Sequence, residues 1–210
     1  MRGFLHQPAA SGGPQSHDAL ILAHSAGADC NAPLLIALAE AFSSAGSTVL
    51  RCNLPFRQLR SHGPPPRGSA ERDQQGLHAA VEAMRRRAAG RVFLGGHSYG
   101  GRQASMLASS APGLVEGLLL FSYPLHPPRQ PQQLRTAHFP RLQTPVLFVH
   151  GSRDGFGTIA EMEEARKLIP ARTDLLAISS AGHELITKQN RDNLPRLCVE
   201  RFLAFSETAR

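Results

Sequence analysis

The chain has 210 residues, 41% hydrophobic and 19% charged, with 19 Gly and 16 Pro, which excludes collagen-like, coiled-coil and wholly disordered classes. A chain of this length can bury about 70% of its unfolded surface, so one substantial core is expected. The formal charge of +7 comes almost entirely from Arg, with Lys only at positions 167 and 188 and with 0 Trp and 2 Tyr; base-stacking platforms are scarce, and specific nucleic-acid binding is not expected.

No apolar run approaches the ~20 residues that span a bilayer, and residues 1–15 lack the apolar stretch of a secretory signal, so no membrane partner is expected. Cys30, Cys52 and Cys198 are odd in number and have no C-x-x-C spacing. Neither a disulfide framework nor a zinc site follows from them, and a reducing cytoplasm fits them best.

Residues 1–18 read as a flexible lead-in or an edge strand, and 19–210 as a single domain. Ala19 to Ala23 is a continuous apolar run, as a strand buried on both faces should be. Pro33 opens a helical stretch, Leu34 to Ala45, closed by Gly46. Thr48 to Cys52 is the next strand. Leu54 to Ser69 is a loop whose Pro64-Pro65-Pro66 forbids regular structure. Ala70 to Ala89 is helical, Arg91 to Gly95 a strand, and Gly100 to Ser110 a helix stopped by Pro112-Gly113. Leu118 to Phe121 and Val146 to Val149 are buried strands on either side of a Pro-rich segment. Ile159 to Ile169 is helical, Leu175 to Ile178 a last strand, and Asn190 to Phe205 a closing helix. Strands and helices taken in turn predict an α/β fold, a mostly parallel sheet of about six to seven strands with helices on both faces. Ligand sites in such sheets lie at the carboxyl ends of strands.

One of those ends carries Gly96-His97-Ser98-Tyr99-Gly100, a G-x-S-x-G pattern that follows a strand and precedes a helix, as a nucleophile elbow requires. Gly96 and Gly100 keep the positions two before and two after the serine small, where strand and helix backbones pass closely. The alternative is a serine that merely caps the helix. A serine hydroxyl needs a base, itself oriented by a third group. Asp154, after the Val146 to Val149 strand, and His183, after the Leu175 to Ile178 strand, follow Ser98 in the order Ser, Asp, His. The alternatives are a turn dipeptide, Asp154-Gly155, and a surface histidine. His24, His97, His126 and His150 are rival bases, but the side chain of His97, next in sequence to Ser98, should point away from it, and His24 and His150 end strands ahead of a more suitable residue, so the four are expected to be structural.

An oxyanion needs two N–H donors, one from the residue after the nucleophile and one from the loop after the first buried strand. Tyr99 supplies the first. In His24-Ser25-Ala26-Gly27 the second falls to Ala26, with Ser25 as runner-up.

With these residues the chain resembles the α/β-hydrolase superfamily, and more narrowly its small cap-less members similar to dienelactone hydrolase and the testis-expressed protein 30-like hydrolases. The resemblance spans about residues 19 to 205. It rests on His24-Ser25-Ala26-Gly27, on Gly95 to Arg102, on Tyr123-Pro124-Leu125-His126-Pro127, on Gly151-Ser152-Arg153-Asp154 and on Gly182-His183. It implies a serine hydrolase fold. Ser25 departs from the family's H-G-x-G pattern, and the N-terminus leaves little room for the full fold's first two strands.

The segment between Phe121 and Pro145 is short and proline-broken, so no lid domain is expected and the site should be open. Phe56, Tyr99, Leu125 and Phe156 fall beyond strand ends, where they would line an apolar wall or serve the core. Arg57, Arg102 and Arg153 lie in the same region and suit a carboxylate-bearing substrate, the alternative being solvated arginine; Arg102 could instead brace a neighbouring loop through a carboxylate. The leading expectation is a hydrolase of small esters, thioesters or lactones acting through an acyl-serine, with no metal or cofactor and as a monomer or homodimer. The other is a non-catalytic interaction protein on a retained hydrolase scaffold.

Overall fold

The computed structural model describes residues 2–8 and 17–207; residue 1 and residues 9–16 of the expected lead-in, and residues 208–210 of the expected domain, lie outside the described part. Seven strands form one sheet: β1 (Gly3–His6), β2 (Ala19–Ala23), β3 (Thr48–Cys52), β4 (Val92–His97), β5 (Gly117–Phe121), β6 (Val146–Gly151) and β7 (Thr173–Ile178). Their order is β1-β3-β2-β4-β5-β6-β7. Every neighbouring pair is parallel except β1 and β3, which pair antiparallel with Gly3 opposite Cys52.

The central strands are buried along their whole length because both faces are covered. Successive residues point to opposite faces, so Ile21, Leu94, Leu120 and Phe148 enter one apolar cluster while Leu20, Leu22, Leu119 and Leu147 enter another. The first is completed by α3 (Ala70–Arg85), α4 (Tyr99–Ser110) and α5 (Ile159–Arg166) through Leu77, Val81, Ala104, Leu107 and Met162. The second is completed by α1 (Pro33–Ser44) and α6 (Leu194–Glu207) through Leu35, Leu38, Phe42, Cys198 and Phe202. Cys30, Cys52 and Cys198 are all free and buried. Among the described residues no helix is long and apolar enough to cross a membrane.

Three elements depart from the sequence expectation. A short helix, α2 (Pro55–Leu59), forms inside the stretch expected to be loop: Pro55 sits in its first turn, where a missing N–H costs nothing, and the breaking prolines come only later. The closing helix begins at Leu194 rather than 190, because the Asn190 side chain takes the Thr187 N–H at 2.7 Å and holds a turn ahead of it. The last strand starts earlier, at Thr173, since its pairing with Val146 extends the ladder. Between β5 and β6 there is only a 3₁₀ turn, Phe139–Arg141, and no lid.

The strand order places the site. The chain steps outward from β2 to β3 on one side, then returns to β4 on the other, so the carboxyl ends of β2 and β4 flank the point where the winding reverses, the place where such sheets open a crevice. Ala23 lies opposite Gly96 there. The loops that follow β2 and β4 must therefore meet.

Candidate active site

Ser98 joins β4 to α4 with φ 52° and ψ −114°, a backbone conformation that costs an ordinary residue about 1–3 kcal/mol. The surroundings hold it. Its N–H donates to Phe121 O at 2.8 Å, and its carbonyl accepts the Arg102 N–H at 2.9 Å. The flanking glycines are required by close backbone approach: a Cβ on Gly96 would lie 2.7 Å from the Gly100 carbonyl carbon, and one on Gly100 would lie 2.6 Å from His24 O. Ser98 occupies the position before the helix but makes no side-chain capping hydrogen bond. Its hydroxyl is engaged elsewhere.

That engagement is with His183, whose Nε2 lies 2.8 Å from Ser98 Oγ. The other ring nitrogen, Nδ1, is 3.0 and 2.9 Å from the two Asp154 carboxylate oxygens. A carboxylate only accepts, so Nδ1 carries the proton and Nε2 is left to accept from the serine hydroxyl. The Asp154 side chain is 0% exposed and that of His183 20% exposed. Burial pushes the Asp154 carboxyl up, but hydrogen bonds from His183 and the Phe156 N–H, together with the imidazoles of His183 and His150, outweigh it and hold the group below the usual carboxylate range. The Asp154 carboxylate is ionised at neutral pH and aimed at the His183 imidazole.

The rival histidines hold the frame. His97 Nε2 sits 2.8 Å from the backbone oxygen of His183, so it donates there and fixes the chain that carries His183. His150 Nε2 does the same to Gly157 O at 2.8 Å. His126 Nδ1 donates to Pro127 O at 2.7 Å. His24 Nε2 accepts the Leu54 N–H at 3.0 Å, which leaves its Nδ1 to donate to Ser25 O at 2.8 Å. Burial lowers the pKa of His24, His97 and His150, so all three work as neutral rings.

The expected substrate contacts separate into groups. Phe56 is 2% exposed and Leu125 0% exposed; both belong to the core rather than to an open wall, a correction whose cause is the packing of Phe56 edge-on against Tyr99 at 5.6 Å and of Leu125 beneath Gly157. Phe156 stacks on the His183 imidazole, centroids 4.1 Å apart and planes at 32°, and stays partly exposed beside it. The Tyr99 hydroxyl donates to Asp73 Oδ2 at 2.7 Å, while Asp73 Oδ1 takes the Phe56 N–H at 3.0 Å. Asp73, fully buried, lies in no motif that would mark it in the sequence; only its position on the inner face of α3 gives a signal.

Arg57 also departs from expectation. It is 6% exposed, and its guanidinium donates to four backbone carbonyls, Ala28, Arg60, Ala26 and Gly63, at 2.8, 3.2, 2.8 and 2.9 Å. Four of its five N–H donors are thus taken by backbone, leaving no fork for a ligand carboxylate. Arg102 differs: its Nε is buried without a hydrogen-bond partner, and no carboxylate braces it among the described residues. Arg153 is exposed. Ser25 and Ala26 lie partly exposed in the loop after β2, which reaches the elbow where His24 O approaches Gly100.

A sheet of this order, with a strained serine at its reversal point and no lid, defines the α/β-hydrolase class of fold. The family model described as "Alpha/beta hydrolase domain" matches residues 16–203, and the chain belongs to that family. Solved structures agree on the fold. Est1E from Butyrivibrio proteoclasticus, with ferulic acid bound, is similar at 16% identity and TM-score 0.78, over 97% of this chain and 94% of that one. A dienelactone hydrolase from Anabaena variabilis is similar at 21% identity and TM-score 0.72, over 96% and 90%. XC6422 from Xanthomonas campestris, described as an α/β serine hydrolase without lid, is similar at 18% identity and TM-score 0.71, over 94% and 87%.

Proposed function

We propose that the chain is a serine hydrolase of small esters, thioesters or lactones, working through an acyl-serine intermediate as a single domain over residues 19–210. The observation that carries this reading is the continuous hydrogen-bonded relay from Ser98 Oγ through His183 to Asp154, at 2.8 and 2.9 Å. Outside catalysis a fold has no physical need for a strained serine, a correctly protonated imidazole and a buried carboxylate in one line.

Ser98 Oγ attacks the substrate carbonyl carbon as its proton passes to His183 Nε2. The carbonyl oxygen becomes an oxyanion, held by the N–H groups of Tyr99 and Ala26. Asp154 stabilises the imidazolium without taking its proton. The tetrahedral intermediate collapses, His183 returns the proton to the leaving alcohol or thiol, and the acyl group stays on Ser98. Water, deprotonated by His183, then releases the acid and restores the serine. None of these steps requires a metal or a cofactor.

On the substrate side, the open site suits small acyl groups, with Phe156 as the apolar contact beside the base. Arg102 favours an acyl chain that ends in a carboxylate. Its neighbourhood holds Arg135, lowered by burial and by Arg102, and His138, lowered to about 4 by burial, Arg102 and Arg141. With the His138 ring neutral, the positive charge there is that of Arg102, Arg135 and Arg141, which an anion would balance.

Labelling with a fluorophosphonate, wild type beside Ser98→Ala, tests the reading. Wild type is expected to label and Ser98→Ala not to; an unlabelled wild type, under conditions that modify a known serine hydrolase, would leave the scaffold reading standing. Wild type should also cleave p-nitrophenyl esters of short acids faster than those of long ones. It should prefer a half-ester ending in a carboxylate to its neutral isostere, and Arg102→Gln should erase that preference.

A further inference from the structure

Ala26 has a peptide plane on either side of its Cα, and its N–H lies in the first. The plane that contains it, Ser25–Ala26, is held through Ser25 O, which takes the His24 Nδ1–H at 2.8 Å and the Ala28 N–H at 3.3 Å. In a trans peptide the N–H points opposite to the C=O, so anchoring that oxygen aims the donor. The next plane, Ala26–Gly27, is held by Arg57 Nη2 on Ala26 O at 2.8 Å, and the loop is tied again by Arg57 Nε on Ala28 O at 2.8 Å. The same guanidinium reaches Arg60 O and Gly63 O at 3.2 and 2.9 Å. It therefore rivets the loop after β2 to the segment after β3. Arg57 is kept in place in turn, since its neighbour Phe56 donates its N–H to the buried Asp73.

We infer that Arg57 is a positioning residue for the oxyanion hole, acting through the backbone of Ala26 rather than on the substrate. Two features favour this over simple loop packing. A buried guanidinium on four carbonyls fixes direction as well as distance, because its donors form a rigid planar fork. The two carbonyls it takes from the loop after β2 are those of Ala26 itself and of Ala28, two residues on. A loop free to rock about Ala26 would still fold, but it would present its N–H off the line where charge develops. The inference rests on the hydrolase reading above and on Ala26 as the second donor.

The test compares wild type, Arg57→Lys and Arg57→Ala on a p-nitrophenyl ester, with rates expressed per active site titrated by fluorophosphonate. Loss of one oxyanion donor outright costs 10²–10³ in rate, so a misaimed one should lower kcat about 10- to 100-fold, with KM changed less than about threefold. Lys keeps the charge but cannot span several carbonyls, so it should not restore the rate. Affinity for a trifluoromethyl ketone should fall in parallel with kcat/KM, and ethylguanidinium should partly rescue Arg57→Ala. The acid limb of the kcat/KM profile should not move, because the His183–Asp154 pair is untouched. A merely structural role would reduce the number of titratable sites and leave kcat per site intact. If Arg57→Ala fails to fold, Arg57→Lys carries the comparison. Wild-type turnover with per-site kcat of the variants within twofold of wild type would overturn this inference alone. Neither turnover nor labelling in wild type would overturn it together with the hydrolase reading.

Discussion

The loop after β4 and the loops after β2, β6 and β7 meet at one site but are built by opposite means. The elbow around Ser98 is set by its own backbone and by the absence of side chains at Gly96 and Gly100, where an added Cβ would press on main-chain atoms at 2.7 and 2.6 Å. The other loops are set by side chains reaching into them from elsewhere: His24 and Arg57 for the loop after β2, His150 for the loop carrying Asp154, and His97 for the chain carrying His183. A local device tolerates no change in its few residues. A distributed one should degrade by steps, losing alignment before it loses the fold.

The largest effect should come from breaking the distributed part at its most critical bond. Asp154→Asn preserves shape but offers an N–H where His183 needs an acceptor, favouring the wrong tautomer; kcat should fall about 10⁴-fold with the fold intact, by analogy with the same change in chymotrypsin-type enzymes. Steady-state kinetics beside a thermal melt would check this, and a loss under tenfold would mean that Asp154 does not orient the base. Gly100→Ala breaks the local part instead. Overpacking against backbone should cost about 3 kcal/mol of stability or displace the elbow, which urea denaturation would measure. A variant as stable and active as wild type would show that the glycine is not required by contact.

Acid sharpens the comparison, since the distributed loops are held by neutral imidazoles, whereas the elbow's shape rests on its glycines and backbone. His138 is lowered from 6.5 to about 4, and burial also lowers His24, His97 and His150. Between the unfolded value near 6.5 and these lower folded values the unfolded chain binds more protons, so stability should fall as pH drops through that window. Asp154 adds to this further down: its folded pKa is depressed, so the stability it contributes is lost as pH falls through that value. The urea midpoint should therefore decrease from pH 7 to pH 4.5, and amide exchange should rise at 24–30 before it rises at 96–101. A midpoint that holds or increases on acidification would contradict the neutral-ring reading.

What was legible in the sequence follows the same division. The apolar runs at 19–23, 118–121 and 146–149 announced strands covered on both faces, because burial leaves no alternation to read. The edge strand Gly3–His6 was less visible, being mostly exposed along its length and carrying no apolar period. The helix Pro55–Leu59 hid in a loop dominated by Pro64 to Pro66, whose breaking effect does not extend backwards to a proline that starts a helix. Ser98, Asp154 and His183 could be named because each follows a strand and their order is restrictive. The work of Asp73 and Arg57 could not, since nothing in a residue's neighbours along the chain tells which distant carbonyl or amide it will meet.

By itself the sequence determined the α/β alternation, the serine elbow and the order of the three polar side chains, all of which depend on periodicity and on residues adjacent along the chain. Only the tertiary structure decided that Phe56 and Leu125 are core rather than wall, which carbonyls His97 and His150 hold, and that Arg57 grips backbone rather than ligand. Those outcomes depend on donor and acceptor pairs separated by up to 86 residues, as between His97 and His183. Such pairs exist only once the sheet has brought its strand ends to a common edge.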